Sequence, residues 1–227
     1  MSAISAPSID FYTFIHKSLR RQLSEVMTAV GAADFTDPTA MMSLSSQLEQ
    51  LLGRLRTHAQ HEEKFLHPLL AQYLTEAKGK FTMAHEKQEA WLDALERDFH
   101  TAAQARSPEQ GAKFARELGR FIGYYFVHLA EEEDLNADIN VQIPQAELEA
   151  AMSAFRASRS SDEVTRDLEL ILPALNRQDR LAILGPLETR APGAFIFVMD
   201  VARRVLDLRT LVTLEADLGI GSTGTDT

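Results

Sequence analysis

The sequence predicts an all-α protein: an antiparallel up-down-up-down four-helix bundle with additional C-terminal helices. Three observations predict it. Apolar residues recur three and four apart through four long segments. Turn and breaker residues fall between those segments. Each segment also carries a histidine, in the order His16, His58, His85, His128, and the pair His58/Glu62 recurs as His128/Glu132, four residues apart each time. If ligand groups on neighbouring antiparallel helices are level, the turn joining them lies midway. The midpoint of His16 and His58 is Asp37, and that of His85 and His128 falls at Ser107. The midpoint of His58 and His85 falls near Gln72.

The first helix is expected over 9–30, where Phe11, Phe14, Ile15, Leu19, Leu23, Val26 and Met27 form one face. Asp34-Phe-Thr-Asp37-Pro38 reads as a loop, with Pro38 opening the second helix. That helix carries Met41, Leu44, Leu48, Leu51, Leu52 and Leu55. It is expected to continue to about Leu74, with Lys78-Gly79-Lys80 as its stop. This stop sits away from the midpoint at Gln72. Pro68 offers an earlier end or kink.

The third helix is expected from about Thr82 to Ala105, through Trp91, Leu92, Leu95 and Phe99. Ser107-Pro108 reads as N-cap and first helical residue of the fourth. The fourth runs to about Ile139 through Phe114, Leu118, Phe121, Ile122 and Tyr125, and Ile143-Pro144 ends it. The bundle is thus expected over 8–142 and a helical C-terminal extension over 144–218. Within the extension, helices are expected from Pro144, Ser160, Asn176 and Pro192, the third stopped by Gly185-Pro186. The last carries an apolar stripe from Phe195 to Leu208 that must pack on the bundle or meet another chain. Residues 219–227 read as a flexible tail.

Composition removes several classes. The 227-residue chain has no cysteine, which excludes disulfides, thiolate metal sites, iron–sulfur ligation and cysteine nucleophiles. Its net charge of −10 argues against a nucleic-acid partner. No apolar run approaches the roughly 18 residues of a membrane span. The first eight residues lack the basic start and apolar core of a secretory signal. A cytoplasmic location is expected.

The chemistry lies in His58-Ala-Gln-His61-Glu62-Glu63-Lys-Phe-Leu-His67-Pro68 and in His128-Leu-Ala-Glu131-Glu132. Residues four apart lie one turn plus about 40° along a helix, so His58 and Glu62 share a face, as do His128 and Glu132. Histidine and carboxylate together suit iron, zinc or manganese. Glu63 and Glu131 are the alternative carboxylates. His61, about 60° from His58, could replace one of the ligands but is assigned a supporting or surface role. His67, followed by proline, reads as packing, and His100 as solvated. Glu89, one turn after His85, either orients that imidazole or is exposed. Tyr12 and Tyr124 each stand four residues before a histidine. They are candidate hydrogen-bond donors to a bound oxygen species, with ordinary core packing as the competing reading. Other site types fail on spacing. No histidine has glutamate three positions before it, and His61-Glu62 lacks the second histidine of a zincin.

These pieces, His16-Lys-Ser-Leu-Arg, His58-x3-Glu62-Glu63-x4-Pro68, His85-Glu86 and His128-x3-Glu132, resemble a hemerythrin-like HHE cation-binding domain. The resemblance covers roughly residues 8–142. It implies a four-helix bundle around a non-haem di-iron centre, with His16, His58, His85 and His128 as ligands and Glu62 and Glu132 bridging two irons. Manganese or zinc would suit the same donors. The chain departs from the oxygen-carrier branch, which has a second histidine where Glu89 stands and an aspartate five residues after the fourth-helix histidine. Its ligand set looks more like the iron- and oxygen-sensing domain of an F-box protein and the bacterial proteins that repair iron–sulfur centres. The repair proteins carry a cysteine-bearing segment that this chain lacks.

The resemblance implies a protein that binds or senses a small oxidant (O2, peroxide, NO) or iron, with a possible protein partner on the C-terminal helices. The alternatives are a di-iron enzyme that turns over peroxide or nitric oxide, and a helical interaction module without a functional metal.

Overall fold

The computed structural model of the protein describes residues 8–220. The N-terminal stretch examined for a secretory signal lies outside the described residues except for Ser8, and so does most of the expected tail. Among the described residues there are ten α-helices and no strand. The bundle is built from α1 (Thr13–Ala32), α2 (Pro38–Phe65), α4 (Thr75–Ala105) and α5 (Pro108–Gln142), with the short α3 (His67–Tyr73) between α2 and α4. The rest are α6 (Gln145–Ala157), α7 (Ser161–Ala174), α8 (Arg177–Arg190), α9 (Pro192–Val205) and α10 (Leu208–Asp217).

Helix starts follow local chemistry. The Asp10 carboxylate accepts the backbone N–H groups of Tyr12 and Thr13, both at 2.9 Å, ahead of α1. Free N–H groups at a helix start are what a short acidic side chain satisfies. The Asn140 amide then clasps Ile9 twice, accepting from its N–H and donating to its carbonyl, each at 2.8 Å. Asp37 caps α2 by accepting from Thr39 N–H at 2.8 Å, with Pro38 as the first helical residue. Ser107-Pro108 opens α5 as expected, although the Ser107 hydroxyl makes no capping bond. Ser160 and Asn176 each form a reciprocal capping box, with Glu163 and Asp179 respectively.

Two expected stops are corrected. Lys78-Gly79-Lys80 lies inside α4, and the chain breaks at Leu66 and Leu74 instead. Pro68 ends α2, because it lacks the N–H that would reach the Lys64 carbonyl and its ring crowds that carbonyl. The break at Leu74 also brings the turn close to the Gln72 midpoint. Gly79 costs a helix only about 1 kcal/mol. Leu74, Ala77 and Phe81 around it pack into an apolar cluster with Tyr12, Leu66, Leu70, Ile139, Ile143 and Leu148. Burial there outweighs the propensity cost. Gly185-Pro186 likewise lies inside α8, whose Leu181, Ile183, Leu184 and Leu187 are held by packing.

The bundle interior is a leucine and phenylalanine core, with Leu19, Leu23, Leu48, Leu52, Leu55, Leu95, Phe114, Leu118, Phe121 and Leu129 fully buried. At one close approach, a Cβ on Gly111 would stand 2.4 Å from Cδ2 of Phe35, so this position admits only glycine beside that ring. Arg20 holds Glu133 with two bonds of 2.6 and 3.0 Å, tying α1 to α5. Arg56 on α2 reaches Glu89, Asp93 and Glu96 along α4.

The described residues form two compact units, 8–13 with 19–157 and 14–18 with 158–220, although α1 itself is one continuous helix. In the first, α6 buries Leu148 and sets Phe155 against His61 and Phe65. The second has its own core, Leu172, Leu184, Val198, Met199, Val201, Ala202 and Leu214. Phe195, Phe197, Val198, Val201 and Val205 of the apolar stripe therefore pack within that unit, whereas Leu208 is exposed.

Candidate metal centre

Six side chains converge in the bundle interior. His16 comes from α1, His58 and Glu62 from α2, His85 from α4, and His128 and Glu132 from α5, and all six are buried. They form two overlapping groups, His16–His58–Glu62–Glu132 and Glu62–His85–His128–Glu132. In each, the four candidate ligand atoms lie within 4.8 Å of one another. Both groups share the two carboxylates. One turn of helix sets His58 Nε2 at 3.2 Å from Glu62 Oε1 and His128 Nε2 at 3.0 Å from Glu132 Oε1. Across the bundle, His85 Nε2 stands 3.2 Å from Glu62 Oε2 and 3.5 Å from Glu132 Oε1.

Electrostatics make this a cation site. Burial of an imidazolium pulls the His85 pKa down, but Glu132 and Glu62 overcome it and raise it to about 10. Without a metal, one proton therefore serves as cation between the two carboxylates. Burial and then the same two carboxylates push the phenols of Tyr12 and Tyr125 upward, so both stay neutral hydrogen-bond donors. His67 is held below its ordinary value by burial and by neighbouring His85.

The structure sorts the expected supporting residues. Tyr12 is buried at the N-terminal end of α1 within the field of Glu62 and Glu132. His61 turns away from the centre, and its ring lies 5.2 Å from that of Phe155. Glu89 is exposed and bound to Arg56, so it does not orient His85. Glu63 does so instead, with Oε1 at 3.2 Å from His85 Nδ1. Tyr124 packs on Trp91 under Lys87, at the edge of the bundle. Glu131, the other alternative carboxylate, pairs with Lys80 at 3.0 Å. His100 is exposed and bonds to Gln104.

Four residues near the centre escaped the sequence reading or were given another role there. Besides Glu63, His67 is buried and stacked on His85, with ring centroids 5.1 Å apart. Gln88 and Tyr125 are buried at 3 % and 1 % exposure. Helical geometry holds the signal that finds the last two. At about 100° per residue, with His128 as zero, Phe121, Tyr125 and Glu132 lie at about 20°, 60° and 40°, while Tyr124 lies at about −40°. On α4, with His85 as zero, Gln88 and Leu92 lie at about −60° and −20°, while Glu89 lies at about +40°. Each histidine stands at the margin of its buried stripe, so the residue four away on the far side faces solvent.

The donor set suits metal cations. Carboxylate oxygens span two cations, imidazoles complete the shells, and the two negative charges offset part of the cationic charge. His128 Nδ1, the Gln88 amide nitrogen and the Tyr125 hydroxyl are buried without a hydrogen-bond partner among the described residues. A buried polar group left so costs about 1–3 kcal/mol, which a bound ion and its ligands would remove. The buried histidine and glutamate cluster is thus able to hold metal. No helix among the described residues is long and apolar enough to cross a membrane.

Residues 8–138 match the family model of the Hemerythrin HHE cation binding domain. No curated protein and no solved structure matches the chain significantly. The family match spans more than half of the 227 residues and coincides with the helices that carry the six buried groups. The chain belongs to the hemerythrin HHE cation-binding domain family.

Proposed function

We propose that the protein is a non-haem di-iron protein that binds or senses a small oxidant, such as O2, peroxide or nitric oxide, or senses iron itself. The observation that carries this reading is the pair of four-residue groups sharing Glu62 and Glu132. Two metal positions with two common carboxylates need the latter between them. His16 and His58 would complete one position, His85 and His128 the other. Iron held there supplies a change of oxidation state and room for a small ligand. Manganese and zinc suit the same donors.

The chain's own groups would then do three things. Glu63 keeps the His85 imidazole in one orientation, with its ring nitrogens divided between Glu63 and the centre. The surrounding leucines and phenylalanines exclude water, which strengthens every charge interaction inside. And because the ligands come from four separate helices, ion binding favours the folded bundle over the open chain.

Optical titration of the iron-loaded protein with O2, peroxide and nitric oxide tests the function. Stoichiometric, saturable spectral change with at least one of them is expected. A spectrum that none of the three perturbs contradicts the ligand role. Complete iron removal should also lower the melting temperature, and an unchanged melting temperature would leave no basis for iron sensing through stability.

A further inference from the structure

The end of the centre nearest the α4–α5 turn carries two donors that the sequence reading did not use. Tyr125 stands on α5 one turn before His128, its ring 5.7 Å from that imidazole. Gln88 stands on α4 one turn after His85. These helices run antiparallel, with the His85 and His128 rings 5.2 Å apart. One turn C-terminal on α4 is therefore level with one turn N-terminal on α5. Both side chains are buried, and the Tyr125 hydroxyl and Gln88 Nε2 have no hydrogen-bond partner among the described residues.

Their surroundings sharpen the point. The positions one turn along from His16 and His58 toward the same end are Leu19 and Leu55, both fully buried and apolar. Phe121 and Leu92 close the next layer. The two polar groups thus stand level with buried apolar side chains, where an unmet donor is costly. Both can donate a hydrogen bond.

We propose that the Tyr125 hydroxyl and the Gln88 amide nitrogen are the hydrogen-bond donors that receive a small, electron-rich acceptor ligand taken up at the metal centre. The inference rests on the metal-binding reading above and adds the recognition chemistry. Two donors without a hydrogen-bond partner among the described residues favour a ligand that presents negative charge and exposed lone pairs, such as azide or a reduced oxygen species, over a neutral apolar gas. Tyr125 assumes the role first assigned to Tyr124, and Gln88 stands beside the helix position first assigned to Glu89.

The test compares wild type, Tyr125→Phe and Gln88→Met, each loaded with iron, with azide as the probe. Each lost donor should weaken azide binding about tenfold, the loss of one hydrogen bond, while iron content stays at the wild-type value. In the metal-free protein Tyr125→Phe should melt no lower than wild type, because the hydroxyl it removes has no protein partner. Unchanged azide affinity in both iron-loaded variants overturns the inference and leaves the metal centre standing. A lower melting temperature of metal-free Tyr125→Phe also overturns it, because the phenol then serves the fold. A wild-type chain that takes up no iron removes both the inference and the function it rests on.

Discussion

Glu63 Oε1 lies 3.2 Å from Nδ1 of His85, a buried imidazole whose opposite nitrogen faces Glu62 and Glu132. The half-exposed Glu63 thus reaches from the rim of the bundle to the back of a candidate ligand. Partners of this kind fix the tautomer and raise the basicity of a ligating histidine, and losing one typically costs about 10–100-fold in metal affinity. Glu63→Ala is expected to weaken metal binding by that amount, read by competition with a chelator of known affinity. The helix should be undisturbed, since the side chain is largely exposed. Equal affinity in the variant would mean that Glu63 only decorates the surface.

The same histidine sets a pH dependence. In metal-free protein its pKa is raised to about 10, with burial opposing and Glu132 and Glu62 prevailing. A raised folded-state value contributes stability in full below the unfolded histidine value of about 6.5. That contribution is lost as pH rises through about 10. Denaturant unfolding of the metal-free protein should therefore show stability falling between neutral pH and pH 10. A metal must also displace this proton, so loading at pH 7 should release about one proton per chain from this site. A pH indicator in weakly buffered solution reads it. Loading without proton release would contradict the proton-for-metal exchange.

Gly111 tests the packing that keeps the helices in place. A Cβ there would lie 2.4 and 2.5 Å from Cδ2 and Cγ of Phe35, the latter being the atom that joins the ring to its own Cβ. The ring cannot simply swing its far end aside. Gly111→Ala should destabilise the protein by about 1–3 kcal/mol, the usual cost of overpacking. Adding Phe35→Leu should recover part of the loss. Thermal or denaturant unfolding of the single and double variants measures both, and a single variant as stable as wild type would show that the ring has room.

The sequence disclosed what depends on one helix and concealed what depends on several. His58 with Glu62 and His128 with Glu132 were legible because the turn of a helix alone brings them together. The four-helix order was legible because apolar spacing and the Asp37 and Ser107 turns agree with the histidine positions. Tyr125, Gln88 and Glu63 were not. Which residue one turn from a histidine faces inward depends on where that histidine sits within the buried stripe, and neighbouring helices decide it. Gly79 and Gly185-Pro186 misled for the same reason. Their local preference against helix is about 1 kcal/mol for glycine and about 3 kcal/mol for proline, and the apolar clusters flanking them exceed it. His67 was read as packing, and it does pack, but against His85.

If Glu62 and Glu132 are shared by two metal positions, one chain holds two ions. Metal content per chain tests it most directly, on protein produced with ample iron and compared with a His58→Ala/Glu62→Ala variant. About two irons per wild-type chain, lost in the variant, are expected. A wild-type chain without bound metal, or a variant that keeps both irons, would contradict it.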